Sequence, residues 1–393
     1  MCKRTIVSEC VTDGHPDKIA DAIADEILEA LNSEDKNVRA GIEVMVKDNI
    51  VVLGGEISTV AKSINYDEIV RNVYRELRFP EWHGLEPDNI KVVNLIGKQS
   101  PEIHSGVDRD EETIGAGDQG FVCGFATNET PAYLGLGHYI AKKICAYIET
   151  QKFIGPDAKS QVIVEYDENG TAEIKSILVS AMHYGDYENV KGLRNKIRYV
   201  INENEVRLDD GVFKKYIAKG GWKLDINPCG KWHVGGPVSD CGVTGRKIVV
   251  DQYGGYCKVG GGALVGKDMT KVDRSAAYMC RYLAKNIVAS GIADTAKVEL
   301  SYMIGVPEPS SVYVWMNRNI GLQDEVIRII KDNVDLTPYG IIKRFGNVRG
   351  RYDAIAKLGH YGVPEIYGFS NKSDSKIYEL YPWEKTDISG IFQ

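Results

Sequence analysis

The chain has 393 residues, 43% hydrophobic and 26% charged, the balance of an ordinary globular protein with room for about two or three domains. A formal net charge of −7 excludes a general nucleic-acid binder, because grip on a phosphate backbone requires a basic face. The eight cysteines (2, 10, 123, 145, 229, 241, 257, 280) form no C-x-x-C and no zinc-type pairing, and neither a long apolar run nor an apolar leader is visible, so a reduced, cytoplasmic protein away from membranes is expected.

Thr5 to Val11 reads as a strand. A helix is expected from Pro16, a residue favoured at the first helical position, to about Leu31. Ile19, Ile23, Ile27, Leu28 and Leu31 form its apolar face; Asp21, Asp25 and Glu29 are assigned to the wet face. Val38–Val46 alternates, turns at Asp48-Asn49 and returns through Ile50–Ile57 as a hairpin. A helix at about Tyr66–Leu77 and a strand at Lys91–Ile96 follow. A second round has a strand at Gln119–Thr127, a helix at Tyr133–Thr150 and a hairpin over Gln161–Ser180 turning at Asp167-Glu168-Asn169-Gly170. It closes with a helix near Glu188–Glu205 and a strand at Trp222–Ile226. The third has a strand at Lys247–Asp251, a helix after Thr270 on Val272, Ala276, Cys280, Leu283, Ala284 and Ile287, and a hairpin over Lys297–Met316. Helices at Gln323–Val334 and from Pro338 end it.

This strand–helix–hairpin–helix order, in units of roughly 100 residues, predicts an α+β fold with three pseudo-symmetric α+β domains, each a mixed sheet with helices on one face. The divisions expected are 1–102, 115–229 and 234–393. Residues 97–118 carry alternating charge and glycine without periodicity, and read as a mobile functional loop. Residues 228–245 form a second glycine-rich loop, and 368–376 a solvated insert.

The densest chemical signal is Gly260 to Ser275. Gly260, Gly261, Gly262 and Gly266 free the backbone to close around an anion; Lys267 follows, and Lys271 comes four residues later. Thr270 is expected to cap the next helix, with Asp273 in the capping-box position. Gly261, Gly266 and Lys267 also satisfy G-x-x-x-x-G-K, but Asp268 replaces the magnesium-binding hydroxyl of a P-loop. A glycine-rich turn before a surface helix is the plain alternative. Gly14-His15-Pro16-Asp17-Lys18 is either a capped helix start or an anion clamp with Asp17 as a magnesium ligand. Arg246-Lys247 is a solvated pair or part of a site. Glu43 and Glu56 are exposed strand residues or site residues, and Trp232 is a core anchor or a platform for a base. No G-x-S-x-G or H-E-x-x-H occurs, and no Rossmann G-x-G-x-x-G opens a helix after a first strand. The inventory of cations, carboxylates and glycine loops suits a reaction in which a polyphosphate leaves and the attacking group needs no deprotonation.

Taken in order, Gly14 to Lys18, Gly54-Gly55-Glu56, Gly115 to Gly120, Asp157-Ala158-Lys159-Ser160-Gln161, Asp240 to Lys247 and Gly260 to Ser275 resemble the signatures of the S-adenosylmethionine synthetase (methionine adenosyltransferase) family. The resemblance spans about residues 4 to 365 and returns at Pro382 to Asp387. It implies three related α+β domains and a reaction in which methionine sulfur attacks C5′ of ATP. The tripolyphosphate set free is then hydrolysed to pyrophosphate and phosphate. A thioether sulfur carries no proton, so alignment and the charge growing on the leaving triphosphate are what such an enzyme must manage.

The resemblance also implies roles by position. His15, Lys159, Arg246, Lys267 and Lys271 match catalytic residues. ATP contacts are implied at His15, Asp157, Ala158, Lys159, Lys231, Trp232, Asp240, Arg246, Lys247, Ala263 and Lys267, and methionine contacts at Glu56, Gln99, Asp240 and Lys271. Asp17 and Asp273 match ligands of Mg²⁺, two ions per site, and Glu43 a ligand of K⁺. Residues 99–109 match a loop closing over the site. The partners implied are ATP, L-methionine and a second copy of the chain, with sites between subunits of a homodimer that can pair into a tetramer. This chain departs from the family's common Arg-Phe with Lys231-Trp232, and has Leu264-Val265 and Met269 in its glycine loop.

Overall fold

The first part of the chain forms β1 (Arg4–Val11), α1 (Pro16–Glu34), the hairpin β2 (Arg39–Lys47) and β3 (Ile50–Ser58), α2 (Tyr66–Leu77), β4 (Lys91–Asn94) and β5 (Gly97–Lys98). Next come β6 (Gly120–Thr127), α3 (Leu136–Ile148), the hairpin β7 (Ile154–Tyr166) and β8 (Ala172–His183), α4 (Val212–Tyr216) and β9 (Lys223–Ile226). The last part has β10 (Gly242–Val243), α5 (Ile248–Asp251), α6 (Val272–Ala289), the hairpin β11 (Thr295–Tyr302) and β12 (Ser311–Met316), α7 (Gln323–Asn333), α8 (Pro338–Phe345) and α9 (Tyr352–Leu358). This computed structural model describes residues 3–98, 114–184, 192, 194, 195, 212–216, 221–346, 352–363 and 380–393. Most of the expected loop at 97–118, including Gln99, most of the expected helix near 188–205 and the insert at 368–376 lie outside the described residues.

Local chemistry accounts for the boundaries. Asn65 caps α2 by accepting from Glu68 N, and Thr337 caps α8 by accepting from Gly340 N. Asp167 closes the β7–β8 turn by accepting from Asn169 N and Thr171 N, both at 2.8 Å. Two expectations fail. Ile248–Asp251 is a helical turn, not a strand, because Asp251 is drawn to the Lys18 ammonium at 2.8 Å and Val250 is buried; tertiary ties override the β preference of the valines. Thr270 does not cap α6. Lys271 occupies that position without a side-chain cap, while Thr270 Oγ1 and N both donate to Asp268 Oδ1.

The strands pair in a cyclic exchange. β1 joins not its own hairpin but β7, running from Arg4↔Tyr166 to Val11↔Lys159, in the sheet β1-β7-β8-β9. β6 joins the following hairpin in β12-β11-β6, and β10 returns to the first hairpin in β10-β2-β3-β4, with β5 also on β3. Parallel β9 and β4 make two of the sheets mixed; the third is antiparallel among the described residues. α1, α3 and α6 pack on the sheets of β2, β7 and β6 respectively.

Ile19, Ile23, Ile27, Leu28 and Leu31 of α1 are fully buried, as their spacing predicts. The expected wet face is not wet. Asp21 and Asp25 are 0% exposed and Glu29 is half-buried, because the segment around 243–266 and α9 cover that side. α6 is likewise buried on all sides: Arg281 and Lys285 meet Glu384 from the C-terminal segment, and Trp383 stacks on Tyr278 at 3.7 Å.

Candidate active site

The turn before α1 fixes the first cluster. Gly14 lies so close to Pro156 that a Cβ would approach it to 2.3 Å, and Gly14 N donates to Pro156 O. Thr12 ties the same strand, its hydroxyl accepting from Ala158 N at 2.7 Å. His15 then caps α1, with Nδ1 accepting from Asp17 N at 3.1 Å. Burial, followed by the Lys247 and Lys159 charges, lowers its pKa to about 3. The ring is therefore neutral near pH 7, and because Nδ1 accepts, Nε2 carries the proton and serves as a donor.

Asp17 is buried beside it. Oδ2 accepts from Lys247 Nζ, Oδ1 accepts from Val243 N at 2.9 Å, and Arg246 stands 3.8 Å from Oδ1. Burial opposes ionisation, but these bonds more than offset it and hold the carboxyl below its usual range. Lys18, in the same motif, faces away: it is buried between Asp21 at 3.1 Å and Asp251 at 2.8 Å. Asp157 Oδ2 accepts from Gly236 N at 2.8 Å, its Oδ1 has no hydrogen-bond partner among the described residues, and burial raises its pKa to about 6. Lys159 is exposed on β7, and its charge, with those of Asp240 and Lys247, reaches both His15 and Asp157. Ala158 is buried in the same strand; Asp240 and Lys231 are exposed. Trp232 is half-buried, its indole N–H donating to Val234 O at 2.7 Å, and it lies outside the hydrophobic core.

The glycine stretch builds a second cluster along β2. Ile42 N donates to Gly266 O, Lys267 pairs with Gly41, and Asp268 Oδ2 accepts from Ala40 N at 2.8 Å, so residues 266–268 continue the strand edge that β10 occupies. Lys267 Nζ lies 2.6 Å from Asp273 Oδ2, and Lys271 Nζ 3.4 Å from Asp268 Oδ2. A Cβ on Gly262 would fall 2.0 Å from the Asp273 carboxyl carbon. The glycines therefore serve close packing as well as backbone freedom, and the Gly266 N–H is already taken by Asp25. Leu264, Val265 and Met269 are buried packing residues. Ala263 is half-buried beside Gly245.

Glu43 and Glu56 are exposed on the face of the first sheet opposite α1, on the diagonal set by Glu43↔Gly54 and Gly41↔Glu56. Burial raises the Glu43 pKa while the Lys267 charge opposes it. Among the described residues no three His, Cys, Asp or Glu side chains converge on a metal position. Sequence reasoning missed Asp21, Asp25 and Arg274. The signal was the i, i+4, i+8 run of Asp17, Asp21 and Asp25, which keeps one helix face.

Comparisons with known proteins cover nearly the whole chain. Residues 3–101, 113–232 and 234–370 match the N-terminal, central and C-terminal domain families of S-adenosylmethionine synthetase. The chain belongs to the S-adenosylmethionine synthetase family. It is 40% identical over 404 aligned positions to an S-adenosylmethionine synthase of Brachyspira hyodysenteriae, covering 98% of this chain and 96% of that one. It is also similar to the structure of an unusual S-adenosylmethionine synthetase from Campylobacter jejuni, with a TM-score of 0.84, 35% identity, and coverage of 100% of this chain and 99% of that one. The α+β class and the methionine adenosyltransferase activity expected from the sequence stand with that membership. Among the described residues no helix is long and apolar enough to cross a membrane.

Proposed function

We propose that the two clusters together hold ATP and methionine for S-adenosylmethionine formation, and that each site takes one cluster from each of two chains. The observation that carries this reading is their charge. The charges of Lys247 and Lys159 bear on a neutral, buried imidazole in one, with Arg246 and Lys247 beside Asp17, and Lys267 and Lys271 stand on carboxylates in the other. A neutral His15 presenting Nε2–H donates to a phosphate oxygen and does not act as a base, which suits a thioether nucleophile. The cations face the triphosphate as its charge grows, and the same residues serve the later hydrolysis of tripolyphosphate to pyrophosphate and phosphate.

Lys231, Trp232, Asp157, Ala158, Asp240 and Ala263 complete the ATP contacts, with Trp232 under the base; the unpartnered Asp157 Oδ1 is an acceptor for a ligand donor. Glu56, Asp240 and Lys271, with Gln99, hold methionine. The donor set fits Mg²⁺ shared with substrate rather than caged by protein: Asp17 and Asp273 offer hard oxygens, each now balanced by one ammonium. Mg²⁺ bound there, about two ions per site, supplies neutralising charge to phosphate oxygens. Glu43, exposed beside Lys267, fits K⁺. The chain divides at 1–102, 115–229 and 234–393, works in the cytoplasm, and forms a dimer that can pair into a tetramer.

Mixing two inactive variants tests the shared site. Lys247→Ala damages the first cluster and Lys267→Ala the second. In a mixed dimer one site then carries both lesions and the other carries neither. Activity that returns on mixing and refolding the pair supports the reading. A mixture as inactive as its components places both clusters' function within one chain.

A further inference from the structure

Asp17, Asp21 and Asp25 form one stripe along α1, and each accepts a backbone N–H from the segment laid across the helix. Asp17 Oδ1 takes Val243 N at 2.9 Å, Asp21 Oδ1 takes Gly245 N at 3.0 Å, and Asp25 Oδ1 takes Gly266 N at 2.8 Å. The last two carboxylates are fully buried, and each has its own buried cation. Lys18 reaches Asp21 at 3.1 Å, and Arg274 binds both oxygens of Asp25 at 2.8 Å. Charge-assisted bonds of this kind are short and hold geometry firmly.

The two glycines so held share further features. Gly245 has φ 77° and Gly266 φ 72°, in the left-handed region that side chains disfavour. A Cβ on Gly245 would meet Ala263 Cβ at 2.6 Å, and one on Gly266 would meet Ile42 O at 2.2 Å. Each glycine also directly precedes cations of the site: Arg246 and Lys247 follow Gly245, and Lys267 follows Gly266. The same device therefore occurs twice, one helical turn apart: a buried α1 carboxylate grips a left-handed glycine, and the next residues are cationic.

We propose that Asp21 and Asp25 are positioning residues for the transfer reaction, Asp21 aiming Arg246 and Lys247 and Asp25 aiming Lys267. This rests on the reading that those cations meet the triphosphate. Neither aspartate touches substrate; each acts through the backbone of its glycine. The rigid helix spacing then fixes how far apart the two cationic segments sit on one chain.

A thermodynamic cycle tests this. Asp21→Ala and Asp21→Asn are made in the parent, in Arg246→Ala/Lys247→Ala and in Lys267→Ala, and kcat/KM for ATP is measured with the melting temperature. Misplacing the cations by about an ångström reduces kcat/KM in the parent by roughly 10- to 100-fold. Asp21→Asn keeps an acceptor oxygen for Gly245 N and restores most of that loss. Asp21→Ala adds little where Arg246 and Lys247 are already gone, but multiplies the defect of Lys267→Ala. The same factor in every background, or Asn as damaging as Ala, overturns the proposal. Should Asp21→Ala not fold, Gly245→Ala strains the clamp from the loop side and must give the same pattern of coupling. If instead Arg246→Ala/Lys247→Ala itself keeps near-parental activity, the assignment of the cations fails, a separate outcome visible before the cycle is closed.

Discussion

Lys159→Met separates chemistry from folding cleanly. Lys159 lies mid-strand in β7, opposite Val11 of β1 and Ser180 of β8, with its neighbours Ala158 and Ser160 buried on the other side. Its ammonium is exposed, and its charge bears on His15 and Asp157. Methionine keeps the length and apolar stem of the side chain and removes only the charge. At such a surface position the stability change should stay within about 0.5 kcal/mol. A cation aimed at charge that develops only in the transition state is worth about 3–4 kcal/mol, or about 10²–10³ in turnover. The assay is steady-state sulfonium formation with ATP and methionine varied separately, alongside urea unfolding. Because the interaction strengthens in the transition state, kcat and kcat/KM should fall together. A variant with near-parental kcat refutes the assignment, and so does a loss of activity matched by an equal loss of stability.

His15 gives a pH signature. Its folded pKa of about 3 lies below the ordinary 6.5, so its contribution is complete above pH 6.5 and is lost as pH falls toward 3. At pH 5 that is on the order of 2 kcal/mol, and His15→Asn should flatten the urea midpoint between pH 7 and 5; an unchanged slope counts against a neutral buried ring. Burial opposes ionisation of Glu384, but Arg281 and Lys285 more than offset it and hold its pKa at about 2, from 4.5. Its stabilisation is therefore present above pH 4.5 and lost as pH drops through 2. Glu384→Gln, which leaves two buried cations short of charge, should cost about 3–5 kcal/mol in denaturant unfolding, and a small loss would mean that the cations relax elsewhere. Trp232→Phe should keep ATP kinetics, while Trp232→Ala raises KM for ATP far more than for methionine. A core tryptophan would instead cost about 3–5 kcal/mol of stability, so an Ala variant that melts far lower with unchanged ATP dependence removes Trp232 from the site.

Elements with strong periodicity were legible in the sequence. α1, α2, α6 and the first and third hairpins sit within a few residues of where hydrophobic spacing and turn chemistry put them, and the second hairpin turns where expected although β7 begins at Ile154 instead of Gln161. What failed were features decided by distant contacts. Ile248-Val249-Val250 reads as strand, yet Lys18 and Asp251 meet across more than 200 residues of sequence and select a helical turn. Asp21 and Asp25 read as solvated because local patterning cannot register a segment some 220–240 positions away arriving on that face. The strand exchange was equally hidden, since each strand's pattern is the same whichever hairpin it joins. At the site, His15, Asp17, Lys267 and Asp273 could be picked out by motif. The pairing of Asp17 with Lys247 and of Lys267 with Asp273 could not, because it depends on side-chain geometry between segments.

That pairing balances charge within each cluster of a chain whose net charge is −7. Lys247, Lys267 and Lys271 each rest on a carboxylate, Asp17, Asp273 and Asp268, and the carboxylates are buried or nearly so. Without those partners the cations would repel one another in a partly desolvated setting. A polyphosphate that takes the ammoniums must leave carboxylates behind, and an unpaired buried carboxylate is costly. Asp268 has an answer within the fold, since Ala40 N, Thr270 N and Thr270 Oγ1 already donate to it. Asp17 keeps the Val243 N–H but loses its principal counter-charge, and Asp273 has only Lys267 as an ion-pair partner among the described residues. These two positions are therefore where anion binding creates a demand for new positive charge, and Asp17 and Asp273 are the two carboxylates whose sequence context implies a divalent-cation role. Substrate binding at such a site is an exchange of partners among fixed groups, which lets the cations be held in place before the substrate arrives.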